Sequence, residues 1–170
     1  MKQVEIWDIL DKNGRRTGKT VIRGKRGLGK GEYHLVVHIW IVNDRGEFLI
    51  QKRSDKRPLM PGEWAATGGS AFSSESSRHA AARELNEEMG IRLGRKDLKL
   101  VKRMLRKFSL TDIWAARCNV DVDNLNLQTE EVAKAKWVSA DELKTMIRNG
   151  EFHNYGKDYF DLVFSINELI

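Results

Sequence analysis

The chain has 170 residues, 41% hydrophobic and 32% charged, ordinary proportions for one globular domain with a sizeable core. No run approaches the roughly 18 consecutive apolar residues of a membrane span, and the opening MKQVEIWDIL has no apolar signal core, so the expected location is the cytoplasm. Lysine and arginine outnumber aspartate and glutamate by 30 to 24, a net charge of +6 that suits an anionic partner. The basic runs at 15–30 and 95–107 carry no aromatic-interleaved RNA motif, so nucleic acid is compatible with the charge without being indicated, and a solvated surface is the plainer account of both runs.

In chain order, Val4, Ile6 and Ile9 alternate with polar residues, Lys12-Asn13-Gly14 turns the chain, and Thr20, Val21 and Ile22 return, which predicts a hairpin. Residues 24–30 (GKRGLGK) have the spacing of a phosphate-binding P-loop. Gly31, however, stands where Ser or Thr would hold Mg²⁺, and the segment leads into a strand rather than a helix. Residues 14–20 end in Gly-Lys-Thr but place three residues between their glycines where four are required. Both are rejected, leaving 24–31 as a flexible basic loop within reach of a substrate at most.

Residues 33–42 (YHLVVHIWIV) read as a strand buried on both faces. A turn at 43–46 sends the chain back through 47–53, with Arg53, Lys56 and Arg57 at the end, before the only prolines, Pro58 and Pro61. A short strand at 64–67 delivers Gly68-Gly69, whose missing side chains let the backbone approach a ligand. A helix starts between Ser74 and Ser77 and ends at Gly90. Strands at 98–110 and 111–118, a polar loop at 120–129 and a strand at 135–138 follow. Ser139 and Glu142 form a capping box for a helix to Arg148, and a final amphipathic helix covers 157–169. The sole cysteine, Cys118, lies in the apolar run IWAARC and is expected to be a buried structural thiol. The pattern predicts a mixed sheet between helices.

The chemistry concentrates in residues 69–91, GSAFSSESSRHAAARELNEEMGI. On a helix Glu84, Glu87 and Glu88 share one face. Like charges at that spacing repel by about 0.2–0.5 kcal/mol per pair, so the stripe calls for a cation. Carboxylate oxygens suit a hard divalent ion such as Mg²⁺, which keeps waters and bridges to phosphate oxygens; taken alone, a glutamate-rich face is as readily solvated surface. Ala81, Ala82, Leu85 and Met89 make the packing face, small Ala80 leaves the approach to the carboxylates open, and Arg83 pairs with Glu87 one turn on.

Gly69, Glu75, Arg83-Glu84-Leu85, Glu87-Glu88 and Gly90-Ile91 stand at the spacing of the Nudix box, which the segment resembles at every defining position. The resemblance implies an α/β fold, a Nudix-type α/β/α sandwich with a mixed β-sheet. It implies one domain over 1–170, with 1–32 as a hairpin extension and 69–91 as a loop-helix-loop. It also implies a hydrolase cleaving a diphosphate linkage in a nucleoside diphosphate joined to another moiety, using Mg²⁺ with Mn²⁺ as a substitute. In those terms Glu84, Glu87, Glu88 and the carbonyl of Gly69 bind metal, Arg83, Glu84 and Glu87 are catalytic, Glu75 braces the loop, and Gly90 closes the box. The general base is a box glutamate or one from a later loop, Glu130 or Glu131, residues that otherwise form a solvated turn. Family members are often dimers, so a homodimer is open.

Tyr33-His34 entering an apolar strand, Trp40, the basic cluster and Pro61-Gly62-Glu63-Trp64 resemble the Nudix branch that includes isopentenyl-diphosphate isomerase, over residues 4–91. That likeness would make Arg53 and Arg57 diphosphate contacts and His34 a metal ligand, although a hydrogen-bonded core histidine is the plainer reading of His34. The isomerase needs a cysteine five residues after the tryptophan and a histidine two further on. This chain has Gly69 and Ala71 there. Hydrolysis is therefore favoured over isomerisation, with a non-catalytic nucleotide or RNA binder as a third class. Selectivity is expected in the loops at 24–32, 54–63, 105–112 and 119–131, whose side chains spell no substrate.

Overall fold

A computed structural model describes residues 3–170, so Met1 and Lys2 of the expected hairpin extension lie outside the described residues. The chain opens with β1 (Ile6–Leu10) and β2 (Arg16–Ile22), an antiparallel pair. Asp11 closes the turn by accepting the N–H groups of Asn13 and Arg15 at 2.8 and 3.0 Å, and Gly14 supplies the positive φ of 81°. The expected alternation from Val4 does not hold. Val4 and Ile6 are exposed, while Ile9, Leu10 and Val21 are buried, because the pairing shifts register between Asp8 and Leu10 and turns two successive side chains inward.

The main sheet contains β3 (His34–Val42), β4 (Phe48–Arg53), β5 (Trp64–Ala65), β6 (Thr67–Ser70), β7 (Lys99–Leu105), β8 (Ser109–Arg117) and β9 (Val132–Val138). β3 and β8 run parallel over the whole of β3, whereas β3–β4, β3–β6, β4–β5, β4–β9 and β7–β8 are antiparallel, so the sheet is mixed. β3 and β4 meet only at Ile41↔Leu49 and Val42↔Phe48. Beyond that point they part, and the 64–70 segment fills the gap. β5 pairs with β4 at Gln51↔Ala65 and β6 pairs with β3 at Val37↔Gly69. The second half of β3 is buried on both faces as its composition predicts, but His34, Leu35 and Val36 near the parting are only partly buried.

Side chains on successive strand positions feed two cores. Val37, Ile39 and Ile41 face α1 (Ser77–Met89), which packs through Ala80, Ala81, Leu85 and Met89. Trp40 and Val42 face the opposite layer of α2 (Ala140–Arg148), α3 (Lys157–Phe164) and α4 (Ile166–Leu169). This is an α/β/α sandwich. Ser76 caps α1 by accepting the His79 N–H, and Gly90 ends it in the left-handed conformation. The capping box of α2 forms through Ser139 and Glu142.

Three expected boundaries move. The strand expected to run to residue 110 ends at Leu105, and Arg106–Ser109 closes a tight turn through an N–H···O bond of 2.8 Å, since Leu105 and Leu110 must face each other. β9 begins at Val132, whose buried side chain is already inward before the exposed Lys134. The last helix breaks at Ser165, whose hydroxyl donates to the Leu162 carbonyl at 2.7 Å.

Candidate functional site

Where β3 and β4 part, β6 delivers Gly68 and Gly69, and α1 lays Glu84, Glu87 and Glu88 alongside. Arg53 and Arg57 follow at the end of β4, Glu131 precedes β9, and Glu5 and Arg23 come from the hairpin, around a cleft of about 340 Å³. The structure thus brings most of the expected residues together. Glu130 is exposed and absent from the cleft lining among the described residues. The basic loop at 24–31 stays outside too, and Arg23 just before it faces the cleft instead.

Arg83 organises the carboxylates. Its Nε donates to Glu75 Oε1 (2.8 Å), Nη2 to Glu75 Oε2 (3.0 Å) and the Ser70 carbonyl (3.1 Å), and Nη1 to Glu84 Oε1 (2.9 Å) and Glu87 Oε2 (3.0 Å). All five guanidinium N–H groups are engaged, and the Phe72 ring lies 4.0 Å beneath the plane. Glu75 also accepts the Phe72 N–H at 2.9 Å, which closes the loop on itself. The i,i+4 pairing of Arg83 with Glu87 is as the spacing predicts, while Glu75 and Glu84 join the same cation.

Ala80 does not leave an open approach. It is fully buried in the core with Ala81 and Leu85, because α1 is rotated so that this side meets the sheet. The same rotation buries Glu88 at 6% exposure and leaves Glu87 exposed, so the stripe is graded from core to solvent. Burial pushes the Glu88 carboxyl up to about 8, with Glu84 adding repulsion, against the opposing hydrogen bonds from Gln51 and Gly68. Burial likewise pushes Glu84 up to about 7, against the pull of Arg83 and with help from Glu87 and Glu5.

Buried Glu88 and half-buried Glu84 both have raised proton affinity; Arg83 reaches Glu84, no cation reaches Glu88 among the described residues, and hard oxygen donors fit a divalent ion. A Cβ at Gly69 would overlap the Glu84 carboxylate, so the glycine is what lets backbone and carboxylate share the space. As they stand, the acids turn to Arg83, and among the described residues no three Asp, Glu, His or Cys side chains gather closely enough to enclose an ion.

Glu131 is tied to Arg57, whose Nη1 donates to Glu131 Oε1 at 2.6 Å. His34 is not a hydrogen-bonded core residue. It is partly buried, its ring stacks on Trp7 with centroids 4.1 Å apart, and its Nδ1 has no partner among the described residues. Cys118 is only half-buried, just past the end of β8 and absent from the cleft lining. Its place at the strand end explains why an apolar run did not bury it.

The sequence reading missed Gln51, His38, Tyr155, Glu5 and Arg23. Gln51, on β4, donates to Glu88 Oε2 at 2.6 Å, and a lone polar residue inside an apolar strand was the available signal. His38 Nδ1 lies 2.7 Å from the Tyr159 hydroxyl, which also accepts the Trp40 Nε1–H at 3.0 Å. The hairpin is fastened to the box loop: Asp8 accepts the Ser73 hydroxyl (2.7 Å), the Ser74 N–H (2.9 Å) and Arg16 Nε (3.0 Å), while the Ser73 N–H reaches the Ile6 carbonyl at 2.7 Å. No periodicity links residues so far apart.

No helix of the described residues is long and apolar enough to cross a membrane. The family model of the NUDIX domain matches residues 32–157. An uncharacterised Nudix hydrolase of Listeria monocytogenes is 39% identical over 153 residues, covering 89% of this chain and 90% of that protein. A crystal structure from Deinococcus radiodurans superposes with a TM-score of 0.77, covering 94% of this chain and 97% of its own at 20% identity, a likeness of fold. An isopentenyl-diphosphate isomerase of Pectobacterium atrosepticum is 34% identical over 85 residues, 49% of this chain and 46% of that enzyme. The likeness to the isomerase is thus local, and a domain match spanning most of the chain, with the Listeria relative matching over about nine-tenths of both chains, makes this protein a member of the Nudix hydrolase family.

Proposed function

We propose that the protein is a Mg²⁺-dependent hydrolase, with Mn²⁺ as a substitute, cleaving a diphosphate linkage in a nucleoside diphosphate joined to another group. The observation that supports this most is buried Glu88 beside half-buried Glu84, whose carboxylate lies against Gly69, in a cleft walled by arginines. Glu84, Glu87, Glu88 and the Gly69 carbonyl would hold the ion. Bound there, it supplies charge neutralisation at phosphate oxygens and a water of lowered pKa.

The chain's own residues do the rest. Arg53 anchors its Nε on the Leu59 carbonyl at 3.0 Å and lines the cleft. Arg53 and Arg57 bind the diphosphate as planar forks matched to phosphate oxygens. A phosphate arriving at Arg57 competes with Glu131 for the guanidinium, which frees that carboxylate to take the proton of the attacking water. Arg83, braced by Glu75, sets the rotamers of Glu84 and Glu87, and Gly90 ends the helix that carries them. The acting unit is the single domain of 1–170 with its hairpin extension, working in the cytoplasm on a small molecule; a homodimer is compatible with this reading.

The isomerase alternative has Gly69 where its cysteine would stand, and Cys118 lies elsewhere. Incubation with Mg²⁺ and a panel of nucleotide sugars, dinucleoside polyphosphates, ADP-ribose-like compounds and nucleoside triphosphates tests the proposal. Release of phosphate or monophosphate is expected. Loss of an ion ligand forfeits several kcal/mol of charge stabilisation, so Glu87→Gln should lower kcat about 10²-fold or more. No turnover on any member, or an active Glu87→Gln, would sink it, and proton exchange into isopentenyl diphosphate would favour the isomerase.

A further inference from the structure

β4 reads Phe-Leu-Ile-Gln at positions 48 to 51, and all four side chains are buried. Strand alternation puts Gln51 on the same side as Leu49, toward α1. A hydrocarbon would serve that core better, since an amide taken out of water is costly unless it is hydrogen-bonded. Gln51 is 1% exposed, and its Nε2 reaches Glu88 Oε2 at 2.6 Å and the Ala66 carbonyl at 3.4 Å. The Gly68 N–H adds a longer contact of 3.4 Å to the same oxygen.

The contrast with the neighbouring acids is chemical. Glu84 and Glu87 are oriented by a guanidinium, which offsets their charge. Glu88 is oriented by neutral donors, which fix its rotamer and supply no counter-charge. A lysine or arginine at position 51 would orient Glu88 as well but would occupy it as a counter-ion. A hydrocarbon would leave it unheld.

Building on the metal-dependent reading above, we infer that Gln51 is a positioning residue of the ion site: its amide holds one oxygen of Glu88 without supplying a counter-charge, which is left to a divalent cation. Gln51 is absent from the cleft lining and reaches the site through Glu88.

The test uses full-length protein stripped with EDTA and titrated with Mn²⁺, free ion being read by electron paramagnetic resonance, so that no turnover is needed. Partners that orient metal-binding carboxylates change affinity by about 10–100-fold, and Gln51→Met, close in size and apolar, should weaken Mn²⁺ by that factor. Its melting temperature in EDTA should fall only modestly, because the packing is kept while Glu88 and the Ala66 carbonyl lose a donor. Gln51→Lys should abolish Mn²⁺ uptake while remaining folded in EDTA, since lysine pairs with Glu88. An affinity for Gln51→Met within about threefold of wild type, against the 10–100-fold expected, overturns the inference. So does a loss of affinity that merely follows a collapse of the fold in EDTA, or Mn²⁺ uptake by Gln51→Lys at wild-type strength. Wild-type protein that takes up no Mn²⁺ would instead bring down the hydrolase reading on which this rests.

Discussion

Arg83 serves four acceptor groups with five N–H donors, and no other side chain can copy that fork. Lysine keeps the charge but offers three donors from one point, so Arg83→Lys must abandon at least two contacts. Hydrogen bonds to charged groups contribute about 1.5–3 kcal/mol each, and denaturant unfolding of Arg83→Lys should register a loss of that order, with kcat reduced alongside. Gly69→Ala probes the opposite limit, a group that must be absent. Its Cβ would push the Glu84 carboxylate aside. A displacement of about 1 Å at a catalytic group can cost roughly 10²-fold, so steady-state kinetics should show a large fall in kcat. The melting temperature should move far less than for a core cavity, because the displaced carboxylate sits at the cleft. Turnover of Gly69→Ala at the wild-type rate would contradict the expected displacement of Glu84.

Among the elements, the hairpin is the one whose part in the site is not local. Asp8 on β1 holds Ser73 and Ser74, and Ser74 has a positive φ of 67°, a conformation that needs outside support in a residue other than glycine. The next residue, Glu75, fastens Arg83. Asp8→Ala should therefore loosen the box loop, lowering kcat/KM by about 10-fold or more through misplacement of Glu84 and Glu87, while Arg16→Ala, which removes only the exposed partner of Asp8, should do little. Comparison of the two variants on one substrate checks this. The limits of α1 were legible because its start and stop are written in adjacent residues, the serines before it and Gly90 after it. Glu84, Glu87, Glu88 and Arg83 were legible because helical spacing is a local rule. The Asp8 latch, the Arg57–Glu131 pair and the Gln51–Glu88 bond were not, since each joins residues whose proximity exists only once the sheet has formed. Ala80 was misplaced for a related reason: period alone cannot say how far a helix is rolled against its sheet.

For the molecule as a whole, buried acids and buried histidines pull stability in opposite directions. Burial, with Arg23 nearby, holds His34 at about 4, and burial, with Arg106 and His153, holds His38 at about 3. Their unfolded forms bind protons below about 6.5, so the stability they contribute is complete above that pH and is lost as pH falls toward 4 and 3. Glu84 and Glu88 behave in the other sense. Raised to about 7 and about 8, they bind protons in the native state that the unfolded chain releases above the ordinary carboxylate range. Their contribution is complete at low pH and declines as pH rises through 7 and 8, by at most about 1.4 kcal/mol per pH unit for each group. Between pH 6.5 and 8.5 only the acids act, so the urea midpoint in EDTA should fall. Saturating Mg²⁺ should flatten or reverse the slope, because an ion that binds only the ionised native form adds stability as protons leave. A midpoint that rises with pH in EDTA would contradict this assignment of charges.

β3 also governs how the chain must assemble. From His34↔Ser109 to Val42↔Arg117, its parallel partner is a strand made far later. At about 5–20 residues per second of synthesis, the apolar run waits roughly 4–15 s for β8. Before then β4 can cover Ile41 and Val42 and β6 can cover Val36–Ile39, both on the edge away from β8. Non-local parallel pairing is slow to form and leaves strand edges bare meanwhile. During translation, then, the edge of VVHIWIV that faces β8 stays open to intermolecular pairing until β8 is made.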